Sequence, residues 1–524
     1  TANVGFTSDN TRYSSLSSQF AGSASTDGYV YVSHSRMWTV NQQYLAEYKL
    51  DFAGVNNIDV LAGYENYSLM SQSLSGSNYH LFNPFVGELS NAKGTGSMVS
   101  ASSSTNRYAT QGFLSRLQYD YDGRIFASAS YRRDSSSRFA EGHRWGNFGS
   151  AGAAWLMSKE SWFNVPFVDM LKLKVSYGVQ GNDNIGGYYP YSDQYSTSWN
   201  ETDGYSDKKT YVGNENLTWE TSKSFNIGVD FETFNNYLNG SVEWFSRKTE
   251  DLLYNKNVPQ SAGNPVGTIP VNVGSILNRG IEVSLDGSIL RRRNVNWTWN
   301  LNLSHYINKV LELDESVSED GIRSGNRIIK VGGSIYEAYM YKYAGVDPET
   351  GEAQFYGEFL KEDGSYVSRP TQKQIDDDLL ETKVVKKFSQ ASQYDLGTVL
   401  PDLFGGFGTS LNAYGFDLSA QFSFQLGGKY YDGTYQSLMW TQDQTGNAWH
   451  KDILKAWTPE NTNTDVPRND GDVQVAQSAL DRFLISASYL SVNNVTLGYT
   501  LPSAWVKKIG LSNFRIYVAG DNLA

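Results

Sequence analysis

From Phe416 to Gln425 apolar and polar positions alternate without a miss. Phe416, Leu418, Ala420, Phe422 and Phe424 form one set, and Asp417, Ser419, Gln421, Ser423 and Gln425 the other. Successive strand side chains point to opposite faces, so the segment predicts a strand with one apolar and one polar face. The apolar face would meet either a protein core or lipid; in the second case the polar face turns to a wet lumen. The same period recurs. Phe113, Leu117, Tyr119 and Tyr121 oppose Arg116, Gln118 and Asp120, and Leu171, Leu173, Val175 and Tyr177 oppose Lys172, Lys174 and Ser176. Trp297, Trp299, Leu301 and Leu303 oppose Thr298, Asn300, Asn302 and Ser304. Continued along the chain, the pattern predicts about fifteen strands, many near the ~10 residues that cross a bilayer at a tilt. They are expected at 4–7, 43–52, 58–70, 107–121, 124–134, 147–157, 171–179, 222–233, 237–248, 275–290, 297–310, 401–413, 416–426, 483–501 and 511–520.

The links between strands sort themselves. Asp122-Gly123, Asn235-Asn236 and Tyr414-Gly415 are short, and Asp-Gly suits the positive φ of a type I′ turn. Between them lie long polar stretches, the largest at about 71–106, 181–221, 311–400 and 427–482. Tight turns on one side and large loops on the other are the pattern of a transmembrane antiparallel β-barrel; a soluble meander has no reason to sort its loops. Aromatic residues gather near the short turns: Tyr119, Tyr121, Trp155, Trp162, Phe163, Tyr237, Trp244, Trp297, Trp299, Tyr499 and Trp505. An interfacial girdle explains them, because these rings prefer the headgroup level.

Composition narrows the classes. With no cysteine among 524 residues, thiolate metal sites, disulfides and a cysteine nucleophile are excluded. A net charge of -12, with Arg291-Arg292-Arg293 as the one basic run, argues against nucleic acid as a partner. That run meets lipid headgroups or simply solubilises its turn; the sequence does not choose. No apolar stretch approaches the ~20 residues of a spanning helix, a test blind to barrels because half of each strand is polar. His34, His80, His143, His305 and His450 lack metal-ligand spacing. Asp376-Asp377-Asp378 and Glu381 are expected in a short solvated helix, without the loop pattern of a calcium site. Asp347-Pro348-Glu349-Thr350-Gly351 reads as a turn. No cofactor is required, calcium lacks support, and no catalytic pair is placed across a cleft. The opening run Thr1-Ala2-Asn3-Val4-Gly5-Phe6 resembles the middle of a strand, so the chain is expected to be an internal piece of a longer protein.

Several stretches carry a family likeness. Leu171-Lys172-Leu173-Lys174-Val175-Ser176-Tyr177-Gly178 precedes Gly181-Asn182, and Leu217-Thr218-Trp219-Glu220 precedes Asn226-Ile227-Gly228-Val229-Asp230. Asn278-Arg279-Gly280-Ile281-Glu282, Leu400-Pro401-Asp402-Leu403-Phe404-Gly405 and Trp457-Thr458-Pro459-Glu460-Asn461-Thr462 follow. Their order along nearly the whole chain resembles the barrel of a SusC/RagA-type TonB-dependent outer-membrane transporter of Bacteroidetes.

That resemblance implies a 22-stranded barrel of a Gram-negative outer membrane, of which about fifteen strands are represented here, the plug domain being absent from this chain. It further implies active import of a glycan or oligopeptide, a SusD-like surface lipoprotein as lid, and energy from TonB-ExbB-ExbD acting through an N-terminal region. No enzymatic step is implied. A siderophore or cobalamin importer shares the barrel without the lid, and a soluble glycan-binding or glycan-cleaving β protein is the alternative of another class. For substrate binding the candidates are the loop aromatics Tyr188, Tyr189, Tyr191 and Trp199, with Tyr195 nearby, and Trp440 and Trp449. Such rings suit sugar faces and peptide side chains, and loop aromatics more commonly pack among loops or against a lid.

Overall fold

The computed structural model describes residues 1–20, 27–202, 204–258, 261, 264, 266–314, 321–439, 448–469 and 478–523. Fifteen strands are hydrogen-bonded, in chain order, into one sheet. They are β1 (Ala2–Ser17), β2 (Tyr29–Phe52), β3 (Asn56–Tyr79), β4 (Ser100–Tyr121), β5 (Ile125–Ser136), β6 (Trp145–Leu156) and β7 (Val168–Asn182). Then follow β8 (Glu220–Thr233), β9 (Leu238–Glu250), β10 (Ser275–Arg292), β11 (Val295–Glu312), β12 (Pro401–Ala413), β13 (Phe416–Gly427), β14 (Tyr489–Thr500) and β15 (Arg515–Asp521). Each expected strand corresponds to one of these. Two compact units divide the chain: Thr1–Trp155, Val175–Ser224 and Thr249–Val273 form the first, and Leu156–Lys174, Phe225–Lys248 and Gly274–Ala524 the second.

Pairing register carries the two faces from strand to strand, because antiparallel partners share a face. In the second unit Leu285 pairs with Leu301, Leu301 with Phe407, Phe407 with Phe422, and Phe416 with Tyr499. The rings of Phe407 and Phe422 stack 4.7 Å apart, and those of Phe416 and Tyr499 lie 4.5 Å apart. On the other face Asn302 pairs with Gly406, Asn300 with Gly408, Gly408 with Gln421, and Asp417 with Gly498. A Cβ at Gly408 would stand 2.2 Å from Gln421 Oε1, so that glycine makes room for a polar side chain of the neighbouring strand.

In the first unit the same logic aligns Tyr44, Tyr64 and Phe113 across β2, β3 and β4. Their rings lie 6.5 and 5.2 Å apart, and Phe113 stacks 6.3 Å from Trp145. This aromatic row is displaced along the strands from the short links at 53–55 and 122–124, where the sequence places the other girdle. Membrane barrels carry such girdles at both interfaces.

The tight turns take the expected backbone. Asp122 and Gly123 have φ of 54° and 60°, and Tyr414 and Gly415 of 50° and 92°. Strand boundaries need correction. The expected strands at 4–7, 43–52 and 58–70 reach Ala2–Ser17, Tyr29–Phe52 and Asn56–Tyr79, and the loop at 71–106 shrinks to 80–99. Serine-rich segments such as Ser71 to Ser77 lack apolar contrast, yet their backbones pair as well as any. In the other direction, the strand expected from 483 begins only at Tyr489: Leu484–Ser486 pairs instead with Lys429–Tyr431, and Phe483 is buried among loop residues.

Candidate functional site

The polar face of the first unit is charged and internally paired. Lys49 Nζ lies 3.1 Å from Glu47 and 3.8 Å from Asp59, and Arg116 reaches Asp59 at 4.0 Å. Further along, Gln43 donates to Glu65 at 2.6 Å, while Arg132 meets Glu65 at 2.8 Å and Asp134 at 3.0 Å. Partly exposed pairs of this kind add little stability singly. Their effect is to present a wall of hydrogen-bonding groups.

A polar knot closes the long-loop end of this face. Tyr108 and Ser136 donate to Asp183 Oδ2 at 2.8 and 2.5 Å, and Arg138 donates to Oδ1 at 3.1 Å. The Arg138 guanidinium also lies 4.5 Å over the Tyr108 ring. Behind the knot Phe139, Phe148, Leu217 and Trp219 form a buried core. The Phe148 ring fills space that only glycine leaves open, since a Cβ at Gly181 would lie 2.1 Å from it. Trp219 Nε1 donates to the Arg144 carbonyl at 2.9 Å. Beside this core runs a cleft of about 440 Å³, bordered by Arg132, Asp134, Gln180 and the hydrogen-bonded hydroxyls of Ser130 and Ser150.

The candidate aromatics fall into separate settings. Tyr188 and Tyr189 have ring centroids 6.4 Å apart, and the Tyr189 hydroxyl accepts from the Arg107 amide at 2.9 Å. That contact fastens the loop to β4. Tyr191 is half-buried. Tyr195 and Trp199 stand on a hairpin of Gln194–Asn200 and Gly204–Tyr211. Lys209 holds its base, 2.6 Å from Asp193 and 5.6 Å from the Tyr195 ring. Trp199 is opposite Tyr205, and these two are 59% and 81% exposed, so this arm offers bare aromatic surface. Tyr205 was not among the candidates; the alternation of Tyr195, Thr197 and Trp199 with a glycine at 204 is the hairpin signal that points to it. In the second unit Trp449 is exposed beside a cluster in which Tyr435 meets the His450 ring at 4.8 Å and Asp452 at 3.1 Å. Trp440 lies outside the described residues.

Also in the second unit, Asp347 to Gly351 folds as the expected turn, Asp347 Oδ1 accepting from the Glu349 and Thr350 amides at 2.8 and 3.2 Å. Trp457 packs on Gly351, where a Cβ would lie 2.4 Å from the indole, and donates to the Pro348 carbonyl at 3.0 Å. The stretch from Trp457 that carried part of the family likeness therefore packs on this turn. The Lys386 ammonium, helped by the two amides, holds the Asp347 carboxyl below its ordinary 3.8. A depressed carboxylate stabilises fully above its unfolded value, and the contribution is lost as pH falls through the folded one. Acidification from pH 5 to 3 is thus expected to loosen this turn. Asp347→Asn should remove that part of the acid-induced drop in melting temperature; a drop of unchanged size would show that the ion pair plays no part.

The family described as “TonB dependent receptor-like, beta-barrel” matches residues 1–523. A TonB-dependent receptor of Formosa agariphila is 28% identical over 93% of this chain and 47% of its own length. The TonB-dependent receptor SusC of Bacteroides thetaiotaomicron is 25% identical over 76% of this chain and 39% of its own. Among solved structures, the RagAB peptide transporter is 25% identical with a TM-score of 0.80, over 100% of this chain and 56% of that one. The RagAB peptide importer in its “closed-closed” state is 26% identical, again at 0.80, with the same coverage. The chain spans about half the length of the curated relatives it matches.

Proposed function

We propose a transport function on one premise: the chain belongs to the TonB-dependent receptor-like β-barrel family. It is an outer-membrane β-barrel, so the apolar rows through Phe407, Phe422 and Phe416 face lipid, and the polar face turns inward. The soluble alternative falls with that assignment.

The function supported best is active import of a glycan or oligopeptide by a SusC-type transporter. A SusD-like lipoprotein covers the long loops, and TonB-ExbB-ExbD supplies the energy. The observation that carries this reading is a two-faced strand register within each unit, with long, internally folded loops, in a chain that matches a peptide transporter over its whole length. The polar wall and the knot at Asp183 then border the path of the substrate, and the long loops at about 181–221, 311–400 and 427–482 are extracellular. The chemistry is binding and release, with no bond made or broken. Deleting the gene and following uptake of labelled oligosaccharides and oligopeptides tests the reading; undiminished uptake of both would overturn it.

Within this reading the exposed arm bearing Trp199 and Tyr205 contacts substrate or lid, and Trp449, in the second unit, is a separate contact of the same kind. Trp199→Ala is expected to weaken uptake or lid capture about tenfold, the size of a buried aromatic anchor's loss. Uptake and lid capture both at the wild-type level would remove Trp199 from either surface.

A further inference from the structure

The basic run Arg291-Arg292-Arg293 lies at the short-turn end of the strands, and its three members have different fates. Arg291 is taken up by the scaffold. It donates to Ser288 Oγ at 2.7 Å and to the carbonyls of Asn235 and Asn236, and its guanidinium lies 5.1 Å over the Tyr237 ring. Arg292 and Arg293 are exposed and border a cleft of about 620 Å³ at the short-turn end of the strands. Among its described lining residues the sole carboxylate is Asp417, which Arg515 occupies at 3.0 Å. The Tyr414 amide donates to the Asn294 carbonyl at 3.1 Å, locking two neighbouring turns together as the cleft's rim.

The cleft wraps the strand ends: Asn296, Asn412 and Asp417 line it from the inward face, and Val295, Ala413 and Phe416 from the opposite one. Arg292 pairs with Val295, Val295 with Ala413, Ala413 with Phe416, and Phe416 with Tyr499. Arg292 therefore ends a row that is otherwise apolar and faces lipid. Tyr414 and Trp505, both strongly exposed, stand at the same level, as aromatic anchors do at a headgroup boundary. Solubilising a turn requires neither the convergence of two cations on one cleft nor continuity with the lipid-facing row. Tight turns of such barrels lie on the periplasmic side.

We propose that Arg292 and Arg293 bind the phosphate of an anionic phospholipid of the periplasmic leaflet, its acyl chains running along Val295 and Phe416. The proposal rests on the membrane placement and is independent of the imported substrate. A free phosphate ion would use the same arginines but gain nothing from the apolar row.

The test is native mass spectrometry of the detergent-purified protein after exchange into nanodiscs of phosphatidylglycerol or phosphatidylcholine. The wild type should retain phosphatidylglycerol preferentially. Arg292→Gln with Arg293→Gln should lower that retention by roughly fivefold for each arginine, and the corresponding double lysine variant should largely restore it. If the double glutamine variant fails to assemble, Arg293→Gln alone decides, since Arg293 sits in the turn itself. Equal retention by wild type and variant would overturn the proposal. So would displacement of the lipid by millimolar inorganic phosphate, which would mark a phosphate site without a lipid.

Discussion

Replacing Phe422 by arginine is expected to cost about 2–4 kcal/mol of folded stability in a bilayer, with up to ~1.5 kcal/mol more from the lost ring pair. Phe422 is mid-strand on β13, stacked 4.7 Å from Phe407, on the face that register assigns to lipid. A guanidinium there must either leave water or pull a defect into the membrane. Ser419→Arg places the same charge three residues away on the opposite face, opposite Ser410 and Thr496, and should change stability by ~0.5 kcal/mol or less. Urea titration of the protein folded into lipid vesicles, read by heat-modifiable gel mobility, compares the two. Equal losses would refute the assignment of faces, and the membrane reading of this strand with it.

This pair of substitutions also shows why so much of the sheet was legible. A barrel wall stands between two solvents of opposite polarity, so each strand carries the strongest period-two contrast a sequence can hold. Phe416 to Gln425 is such a strand, and its neighbours repeat the signal at matching register. Turns were legible because Asp122-Gly123 and Tyr414-Gly415 must reach positive φ in two-residue links. Contrast fades where strands run beyond the bilayer. There serine after serine pairs through the backbone alone, as between Ser71 and Ser77, and no side-chain pattern marks where the strand ends. The site was less legible still. Tyr188, Trp199 and Trp449 are recognisable as loop aromatics, but the knot around Asp183 draws Tyr108, Ser136 and Arg138 from β4, β5 and the loop after it, and no local spacing announces it.

The stretch at 311–400 shows the sharpest limit of the pattern. Read as one polar loop, it contains a core of Ala353, Phe355, Val385 and Ala391, completed by Leu480 and Phe483 from the loop at 427–482. The small sheets here lack alternation because they are covered on both sides: Ala338, Tyr339 and Met340 are buried in succession. The Tyr341 amide donates to the Ala479 carbonyl at 3.0 Å and the Tyr343 amide to Asp481 at 2.8 Å, so the two loops fold as one body. Phe355 is fully buried at its centre, with the Phe388 and Tyr343 rings 5.3 and 6.1 Å away. Phe355→Ala is therefore expected to cost about 3–5 kcal/mol, the range for emptying a buried aromatic site. The loss should fall on the loops, because β12, β13 and β14 draw their stability from their own ladder and the lipid. Hydrogen exchange should show protection collapsing at 353–360, 380–391 and 479–483 while 403–426 is unchanged. A lid that rests on these loops would then be captured poorly by a barrel that still assembles. Protection lost equally in the strands would mean that loops and wall fold as one cooperative unit, and protection unchanged in both would mean that this core does not hold the loops.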